Sequence, residues 1–136
     1  MVEAIRGGSG GCLCGAVRYT VKGGLRDVIV CHCGQCRRQH GSAGAYSEAA
    51  LADLAIAESG ALAWYDSSAR ARRGFCRLCG SGLFWQRVDG ASISIAAGSL
   101  DQPSGLQVVR HIYVADKADF YVITDGLPQL PGSQGG

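Results

Sequence analysis

The sequence is organised around one stretch, Cys31-His32-Cys33-Gly34-Gln35-Cys36-Arg37-Arg38. Its three cysteines are close enough in the chain for their sulfur atoms to converge from one tight turn. The thiolate is the form of cysteine that binds metal, and soft sulfur ligands select zinc, copper(I) or iron–sulfur clusters. A structural zinc has four protein ligands, whereas a catalytic zinc has three and keeps one position open. The stretch therefore predicts a metal site whose role depends on whether a fourth ligand exists.

The other four cysteines form two shorter turns, Cys12-Leu13-Cys14-Gly15 and Cys76-Arg77-Leu78-Cys79-Gly80. The second turn is typical of one half of a zinc knuckle and needs two further ligands. Either the first turn or two members of the triplet can supply them. We favour the first choice, which gives a closed site of four thiolates: Cys12, Cys14, Cys76 and Cys79. It leaves an open site of three thiolates, which are Cys31, Cys33 and Cys36.

Other interpretations of the cysteines stay open at this point. The triplet is a second closed structural site if a histidine is the fourth ligand, and His40 or His111 suits that role better than His32, which lies between two ligands. An iron–sulfur cluster usually has different cysteine spacings. Thiol–disulfide chemistry at Cys33 and Cys36 usually needs a βαβ context, which the sequence lacks. Simple burial of the Cys76 turn as free thiols is the remaining alternative.

Length and composition indicate one domain with a modest core, since the chain has 136 residues. It has no apolar run of membrane length, and its first residues do not resemble a signal peptide. We therefore expect a soluble, cytoplasmic protein with no membrane partner. Its seven cysteines are an odd number and are clustered, which favours metal binding over disulfides in such a protein.

The charge of the chain gives little support for nucleic-acid binding. The formal net charge is +2. Seven thiolates would subtract seven charges and two Zn²⁺ ions would add four, which gives −1 for the loaded protein. Local basic clusters remain at Arg37-Arg38 and at residues 70–73. Because no global basic field results, we do not expect a nucleic-acid partner.

The pattern of apolar and polar residues predicts a mainly β domain whose strands are joined by metal-binding turns. Residues 38–44 are predicted to form a turn, and residues 69–74 a basic connector. Residues 46–58 are ambiguous, and we interpret them as a short turn followed by a strand at 54–57. The predicted domain covers 11–128, after a flexible N-terminus (1–10) and before a disordered tail (129–136). The other predicted strands cover residues 16–21, 27–30, 62–65, 83–88, 92–96, 107–114 and 120–123.

Taken in order, the three cysteine motifs and a late His111-Ile112-Tyr113-Val114 segment resemble a known family. It is the family of glutathione-dependent formaldehyde-activating enzymes, which also includes centromere protein V. The resemblance covers roughly residues 10–130. It implies a β-tent fold of packed, mostly antiparallel sheets. It also implies two zinc ions per chain, with the same division of ligands: a structural zinc on the four-cysteine set and a catalytic zinc on the triplet.

The resemblance implies an enzyme, a zinc-dependent carbon–sulfur lyase of the S-(hydroxymethyl)glutathione synthase type. Such an enzyme adds a thiol to formaldehyde or to another small electrophile, so the expected partner is a small-molecule thiol such as glutathione. Arginines bind carboxylates by bidentate pairing, and the candidates for the carboxylates of glutathione are Arg37, Arg38 and Arg110. The alternative is a zinc-stabilised module that binds protein or nucleic acid without catalysis. The sequence indicates neither the true substrate nor the oligomeric state.

Overall fold

The structure is a computed structural model, and it describes residues 7–133. This part of the chain contains ten strands, one α-helix and three short 3₁₀ helices, at Leu51–Asp53, Ala97–Ser99 and Val114–Asp116. In chain order the longer elements are β1 Ser9–Gly11, β2 Arg18–Val21, β3 Val28–Cys31, α1 Gly34–His40, β4 Gly44–Ala50, β5 Leu54–Ala57, β6 Leu62–Asp66, β7 Ala71–Cys76, β8 Gly82–Arg87, β9 Ser92–Ala96 and β10 Val108–Ile112. The predicted fold class, mainly β with cysteine-containing turns, is confirmed.

The chain divides into two compact units. The first contains the described residues up to Arg26 together with Ser47–Leu106, and the second contains Asp27–Tyr46 and the described residues from Gln107 onward. The chain passes between the units within β4, after Tyr46. Among the described residues, no helix has the length and hydrophobicity that a membrane crossing requires.

The first unit is built from two antiparallel strand arrangements and contains the main hydrophobic core. One is the sheet β1-β2-β5, and the other is the run β9-β8-β7-β6. Alternation along β9 buries Ile93 and Ile95, and β2 buries Tyr19 in the same way. These side chains pack with Leu83 and Phe84, each of which gains about 1.5–3 kcal/mol from burial.

The second unit contains β10, β3 and β4, with β3 in the middle. Strand β3 pairs with β10 in parallel and with β4 antiparallel, so one pairing departs from the antiparallel arrangement that the resemblance implied. Val28, Ile29 and Val30 are all buried, and since successive side chains point to opposite faces, both faces of this central strand are covered. The strand ends at Cys31, which places the cysteine triplet directly after it.

Three predictions of local structure are wrong, and a fourth is correct only in part. The predicted turn 38–44 overlaps α1, whose N-cap is Cys33 and whose C-cap is Gly41. The predicted connector 69–74 mostly belongs to β7, because this segment pairs with β6 on one side and β8 on the other. In the segment 46–58 the predicted strand at 54–57 is confirmed as β5, and a 3₁₀ turn precedes it at Leu51–Asp53, but residues 46–50 belong to strand β4. Residues 120–123 form no strand, and Tyr121 instead closes a turn by donating its N–H to the carbonyl of Ala118.

The terminal boundaries lie partly outside the described residues, namely 1–6 and 134–136. Within the predicted flexible N-terminus, Ser9 and Gly10 belong to β1. Within the predicted tail, Leu130 donates its N–H to the carbonyl of His111, and Gly132 accepts from Tyr113. Backbone hydrogen bonds therefore extend beyond the sequence-based domain limits at both ends. The extent of the domain as a functional unit stays a prediction.

Two left-handed glycines end the cysteine turns of the first unit. Gly15 has φ 83° and Gly80 has φ 82°. The Gly15 N–H bonds to the Cys12 carbonyl at 3.2 Å, and the Gly80 N–H bonds to the Cys76 carbonyl at 2.7 Å. In each case the chain turns back directly behind the sulfur ligands, in a conformation that other residues adopt only at a cost.

We expect Gly80→Ala to lower the unfolding free energy of the metal-loaded protein by about 1–2 kcal/mol. A Cβ at Gly80 would meet no atom within 4 Å, so the cost comes from the backbone conformation alone. Gly98→Ala is the matched control, because Gly98 has equal space and no positive φ. Chemical denaturation of both variants measures the difference, and equal unfolding free energies would contradict the argument.

Candidate metal centres

The first candidate centre brings together Cys12, Cys14, Cys76 and Cys79, whose sulfur atoms all lie within 4.8 Å of one another. The sulfur of Cys14 lies 3.7 Å from that of Cys12 and 3.8 Å from that of Cys76. A tetrahedron with zinc–sulfur bonds of about 2.3 Å has edges of about 3.8 Å. The sulfur positions thus fit a closed tetrahedral site, and the predicted four-cysteine set comes together although Cys14 and Cys76 are 62 positions apart.

The hydroxyl of Ser81 connects the two turns of this centre. It accepts a hydrogen bond from the Leu13 N–H at 2.9 Å and lies 3.2 Å from the sulfur of Cys79, to which it can donate its own proton. With the Ser81 hydroxyl as the largest cause, hydrogen bonds lower the pKa of Cys79 to about 5. Sequence reasoning missed this role, although a serine two positions after the last cysteine of a C-x-x-C-G turn was a signal for it.

Two cysteines of the same centre belong to the hydrophobic core. Cys12 and Cys76 are buried within the hydrophobic cluster that contains Val17 and Leu83. Burial alone would raise the pKa of Cys12, but hydrogen bonds reverse this, the largest of them from the Val17 N–H at 3.2 Å. The thiolate form is therefore favoured by donors that the fold holds in place. Cys14 by contrast is exposed.

The second candidate centre brings together Cys31, Cys33 and Cys36, again with all sulfur atoms within 4.8 Å. Strand β3 delivers Cys31 at its end, and the next residue is fixed by a bond from the His32 N–H to the Ile112 carbonyl at 2.9 Å. Cys33 is the N-cap of α1, and its sulfur accepts the Cys36 N–H at 3.3 Å. The end of β3 and the start of α1 thus bring the three sulfur atoms close together.

Hydrogen bonds distribute protons unequally within the triplet. Bonds from Cys31 and then Cys36 lower the pKa of Cys33 far below its ordinary value. The bond to Cys33 raises the pKa of Cys31 far above its ordinary value, with Cys36 and burial adding to the effect. Three neighbouring thiols cannot all ionise side by side without a cation, since each thiolate repels the next. The donor set is therefore one that fits a soft divalent metal.

Among residues 7–133, neither His40 nor His111 completes the triplet as a fourth ligand. The His40 Nε2 bonds to the Tyr46 hydroxyl at 2.7 Å. His111 uses both ring nitrogens elsewhere: Nε2 lies 2.7 Å from a carboxylate oxygen of Asp125, and Nδ1 lies 2.9 Å from the Nε2 of His32. No histidine, aspartate or glutamate of the described chain joins the three sulfur atoms in a common cluster.

The contacts of His111 form a hydrogen-bonded chain that determines the tautomer of each ring. A hydrogen bond from His111 lowers the pKa of Asp125, whose carboxylate only accepts. The Nε2 of His111 therefore donates to Asp125. In the tautomer whose Nδ1 carries no proton, that nitrogen accepts the Nε2–H of His32. The Nδ1 of His32 is then an unprotonated acceptor, and it is buried without a hydrogen-bond partner in the structure. Sequence reasoning gave no role to Asp125.

The three arginines predicted to bind substrate are placed differently. Arg37 is half-buried on α1 and lines a surface cleft with residues 115–120. Arg38 is exposed on the same helix, and Arg110 is half-buried in β10. Neither Arg38 nor Arg110 lines that cleft. Of the three candidates, Arg37 alone lines this cleft.

The fold and the two cysteine clusters together define a mainly β protein with two candidate metal centres, one of four thiols and one of three. The chain belongs to the family of glutathione-dependent formaldehyde-activating enzymes, whose sequence profile matches residues 8–116. The resemblance found in the sequence is therefore confirmed. A crystal structure of a Rhodobacter sphaeroides protein is similar, with a TM-score of 0.60 over 89% of this chain and 98% of that one. At 24% identity this likeness shows a shared fold. No curated protein matches the chain.

We expect single cysteine substitutions to separate the two centres. Cys76→Ser removes one sulfur atom of the four-cysteine cluster, which is part of the core, and it should prevent cooperative folding. Cys33→Ser should leave a folded protein with one metal ion per chain in place of two. Elemental analysis and thermal unfolding of proteins purified without chelator measure both effects. If both variants unfold to the same extent, the triplet is also structural.

A second prediction concerns the tautomers of the histidine chain. In long-range ¹H–¹⁵N NMR spectra, we expect the Nε2 of His111 and the Nε2 of His32 each to carry a proton. Asp125→Ala removes the acceptor that orients His111, so both rings should become tautomeric mixtures. Asp89→Ala, at an exposed carboxylate of the β8–β9 turn, is the control and should change neither ring. Unaltered His32 signals in Asp125→Ala would refute the chain.

Proposed function

We propose that the protein is a zinc-dependent carbon–sulfur lyase of the S-(hydroxymethyl)glutathione synthase type, which adds a thiol to formaldehyde or another small electrophile. Membership of the family of glutathione-dependent formaldehyde-activating enzymes supports an activity of this general type. The proposal assigns a structural zinc to Cys12, Cys14, Cys76 and Cys79. It assigns a catalytic zinc to Cys31, Cys33 and Cys36.

The observation that carries the proposal is the number of donors at the second centre. Three sulfur atoms converge there, and His40 and His111 bond to other partners within the described chain. Three protein ligands with one open position are typical of catalytic zinc, whereas four are typical of structural zinc. The open position is where a substrate thiol can become the fourth sulfur ligand.

The reaction needs one bond to form and one proton to move. The substrate sulfur forms a bond to the formaldehyde carbon, the carbonyl π-bond breaks, and the thiol proton is transferred to the carbonyl oxygen. When bound, zinc would lower the pKa of the incoming thiol and so supply the thiolate nucleophile. Three thiolate ligands already donate charge to the metal, which favours this role over strong polarisation of the carbonyl.

The residues of the chain contribute binding and orientation. Cys31, Cys33 and Cys36 hold the open site between a strand end and a helix start, which limits its movement. Arg37, Arg38 and Arg110 were predicted to bind substrate carboxylates. We now favour Arg37, because it alone of the three lines the cleft beside α1. A guanidinium group binds a carboxylate through two parallel hydrogen bonds.

The proposal also places the protein in the cytoplasm. All seven cysteines are free thiols, and they cluster without forming a disulfide. A reducing compartment keeps such thiols available for metal and also contains small-molecule thiols. Glutathione is the proposed thiol partner, in agreement with the name of the family.

The proposal is tested by measuring exchange at equilibrium, because thiols and formaldehyde also combine without a catalyst. We expect the zinc-loaded protein to accelerate exchange between ¹³C-formaldehyde and its glutathione adduct, with no change in their equilibrium ratio. Cys33→Ser should lose the acceleration and one zinc ion, while Lys22→Gln, at an exposed lysine of the first unit, should keep both. Two-dimensional ¹³C exchange NMR measures the rate. A folded, fully loaded protein with no acceleration for any thiol would favour a zinc-stabilised binding module.

A further inference from the structure

The residue between the first two cysteines of the triplet is fully buried. It is His32, which the chain joins directly to Cys31 and Cys33. Its N–H bonds to the Ile112 carbonyl at 2.9 Å, and its ring is held separately by other side chains. Protein interiors are close-packed, so a buried ring has little space in which to move. The position of this ring and that of the backbone between the two sulfur ligands are therefore coupled.

Two aromatic rings hold the side chain of His32. The Nδ1 of His111 lies 2.9 Å from its Nε2, and the two imidazole rings are stacked with their centroids 5.1 Å apart. Tyr121 packs edge-to-face against His32 with the centroids 4.7 Å apart, and against His111 at 6.5 Å. These separations are typical of favourable aromatic pairs. The three rings thus form one packed cluster that includes a residue of the ligand turn.

A carboxylate orients this cluster, and it belongs to residues 117–133, here called the C-terminal segment. One oxygen of Asp125 accepts the Nε2–H of His111 at 2.7 Å, and the other accepts the Leu127 N–H at 3.0 Å. The side chain of Asp125 is 42% exposed, whereas that of His111 is almost fully buried. Two successive hydrogen bonds thus connect a group that solvent can reach with His32 in the ligand turn.

The C-terminal segment is also attached to β10 by its backbone. The His111 N–H bonds to the Pro128 carbonyl, and the Leu130 N–H bonds to the His111 carbonyl, both at 2.9 Å. This stretch therefore runs along β10. Asp125 lies in the sequence between the packed Tyr121 and the attached stretch. The segment is thus fixed on both sides of the carboxylate, which limits the movement of the carboxylate relative to His111.

The arrangement leaves one buried acceptor without a partner. The Nδ1 of His32 is buried and has no hydrogen-bond partner among the described residues. Buried polar groups are nearly always paired, so an unpaired one in a native structure needs an explanation. Tyr113, just before the C-terminal segment, has φ 55°, a second local conformation that carries a cost. Costs of this kind are typical of places where the fold holds a functional site in one geometry.

We propose that the C-terminal segment positions the ligand turn of the three-thiol centre, with Asp125 as the positioning residue that acts through His111 and His32. The family profile matches residues 8–116, so Asp125 lies outside the part of the chain that the profile describes. The proposal rests on the metal assigned to the triplet under the proposed function, and it does not depend on the reaction. Hydrogen-bonded groups that orient a metal site from outside usually contribute about 10–100-fold to metal affinity.

Competition with a chelator tests the positioning in the fully zinc-loaded protein. In Asp125→Ala we expect the zinc affinity of the triplet to fall about tenfold, with that of the four-cysteine centre unchanged. Cys33→Ser, which should keep only the four-cysteine centre, identifies which release belongs to which centre. Asp89→Ala is the matched control for loss of an exposed carboxylate and should behave as the unaltered protein does. An unchanged affinity, or an equal loss from both centres, would overturn the proposal.

Rescue by formate distinguishes positioning through the hydrogen bond from a general structural role. Because Asp125 is partly exposed, formate can enter the space left by Asp125→Ala and accept the Nε2–H of His111. We expect it to restore zinc affinity in Asp125→Ala. His111→Phe keeps a ring against Tyr121 but makes no hydrogen bond, so it should also lower the affinity about tenfold. The double variant should lose no more than either single variant and should not respond to formate. Additive losses, or no rescue of Asp125→Ala, would overturn the proposal.

The absorption bands of the cobalt-loaded protein separate failure of the positioning from failure of the metal assignment. The bands of the triplet are the difference between the unaltered protein and Cys33→Ser. We expect them to change in Asp125→Ala and Tyr121→Ala, and to persist in Tyr121→Phe, which keeps the packed ring. If there is no difference from Cys33→Ser, the triplet holds no metal, and the proposed function and the positioning are both wrong. Triplet bands that are identical in Asp125→Ala would support the metal assignment and overturn the positioning alone.

Discussion

Mutual repulsion among neighbouring thiolates is the constraint on which the two centres depend. Two unit charges 4 Å apart repel by about 4 kcal/mol at the effective dielectric of a protein surface. The sulfur atoms of each cluster lie within 4.8 Å of one another, so full ionisation requires a cation. A divalent metal turns repulsion into attraction at both clusters. Structural zinc contributes roughly 10–16 kcal/mol in small peptides, which exceeds the net stability of many domains.

The two centres use this attraction differently because their surroundings differ. At the first, Cys12 and Cys76 belong to the hydrophobic core and Ser81 ties one turn to the other. Metal binding there would close the long loop between Cys14 and Cys76 and so stabilise the hydrophobic core that packs against the cluster. At the second, a strand and a helix deliver all three ligands from a short segment, and little of the fold depends on closing it. The first arrangement suits a structural metal and the second suits exchange of a ligand.

The surroundings of the triplet are polar in a way that its own sequence does not require. Buried His32 is linked through His111 to Asp125, so a carboxylate with 42% of its side chain exposed controls the orientation of two buried rings. The same part of the chain contains residues 115–120, which line the cleft together with Arg37. Tyr113, just before this segment, has φ 55°, a conformation that bulky residues adopt at a cost, often near functional sites. The segment after β10 thus contacts the two buried rings beside the triplet and lines the cleft that contains Arg37.

The sequence by itself determined the three cysteine turns and the fold class. Ligands within one turn are a local feature, so their spacing is visible without a structure, and strands such as β9 show their alternation directly. Helix α1 was missed because seven residues carry little periodicity, and its start depends on a cap by the sulfur of Cys33. Strand β7 was missed because its arginines resemble a connector. In the fold, Arg72 stacks on the ring of Trp64 at 3.9 Å and bonds to Gln86.

Only the tertiary structure decided which distant groups meet. His32 and His111 are 79 positions apart, and parallel pairing of β3 with β10 brings them into contact. Arg37 and residues 115–120 form one cleft for the same reason, whereas Arg38 and Arg110 are excluded from it by their positions on the helix and the strand. Spacing along the chain carries no information about such contacts. They depend on strand register, which is determined by burial of whole strands and not by the residues of the site.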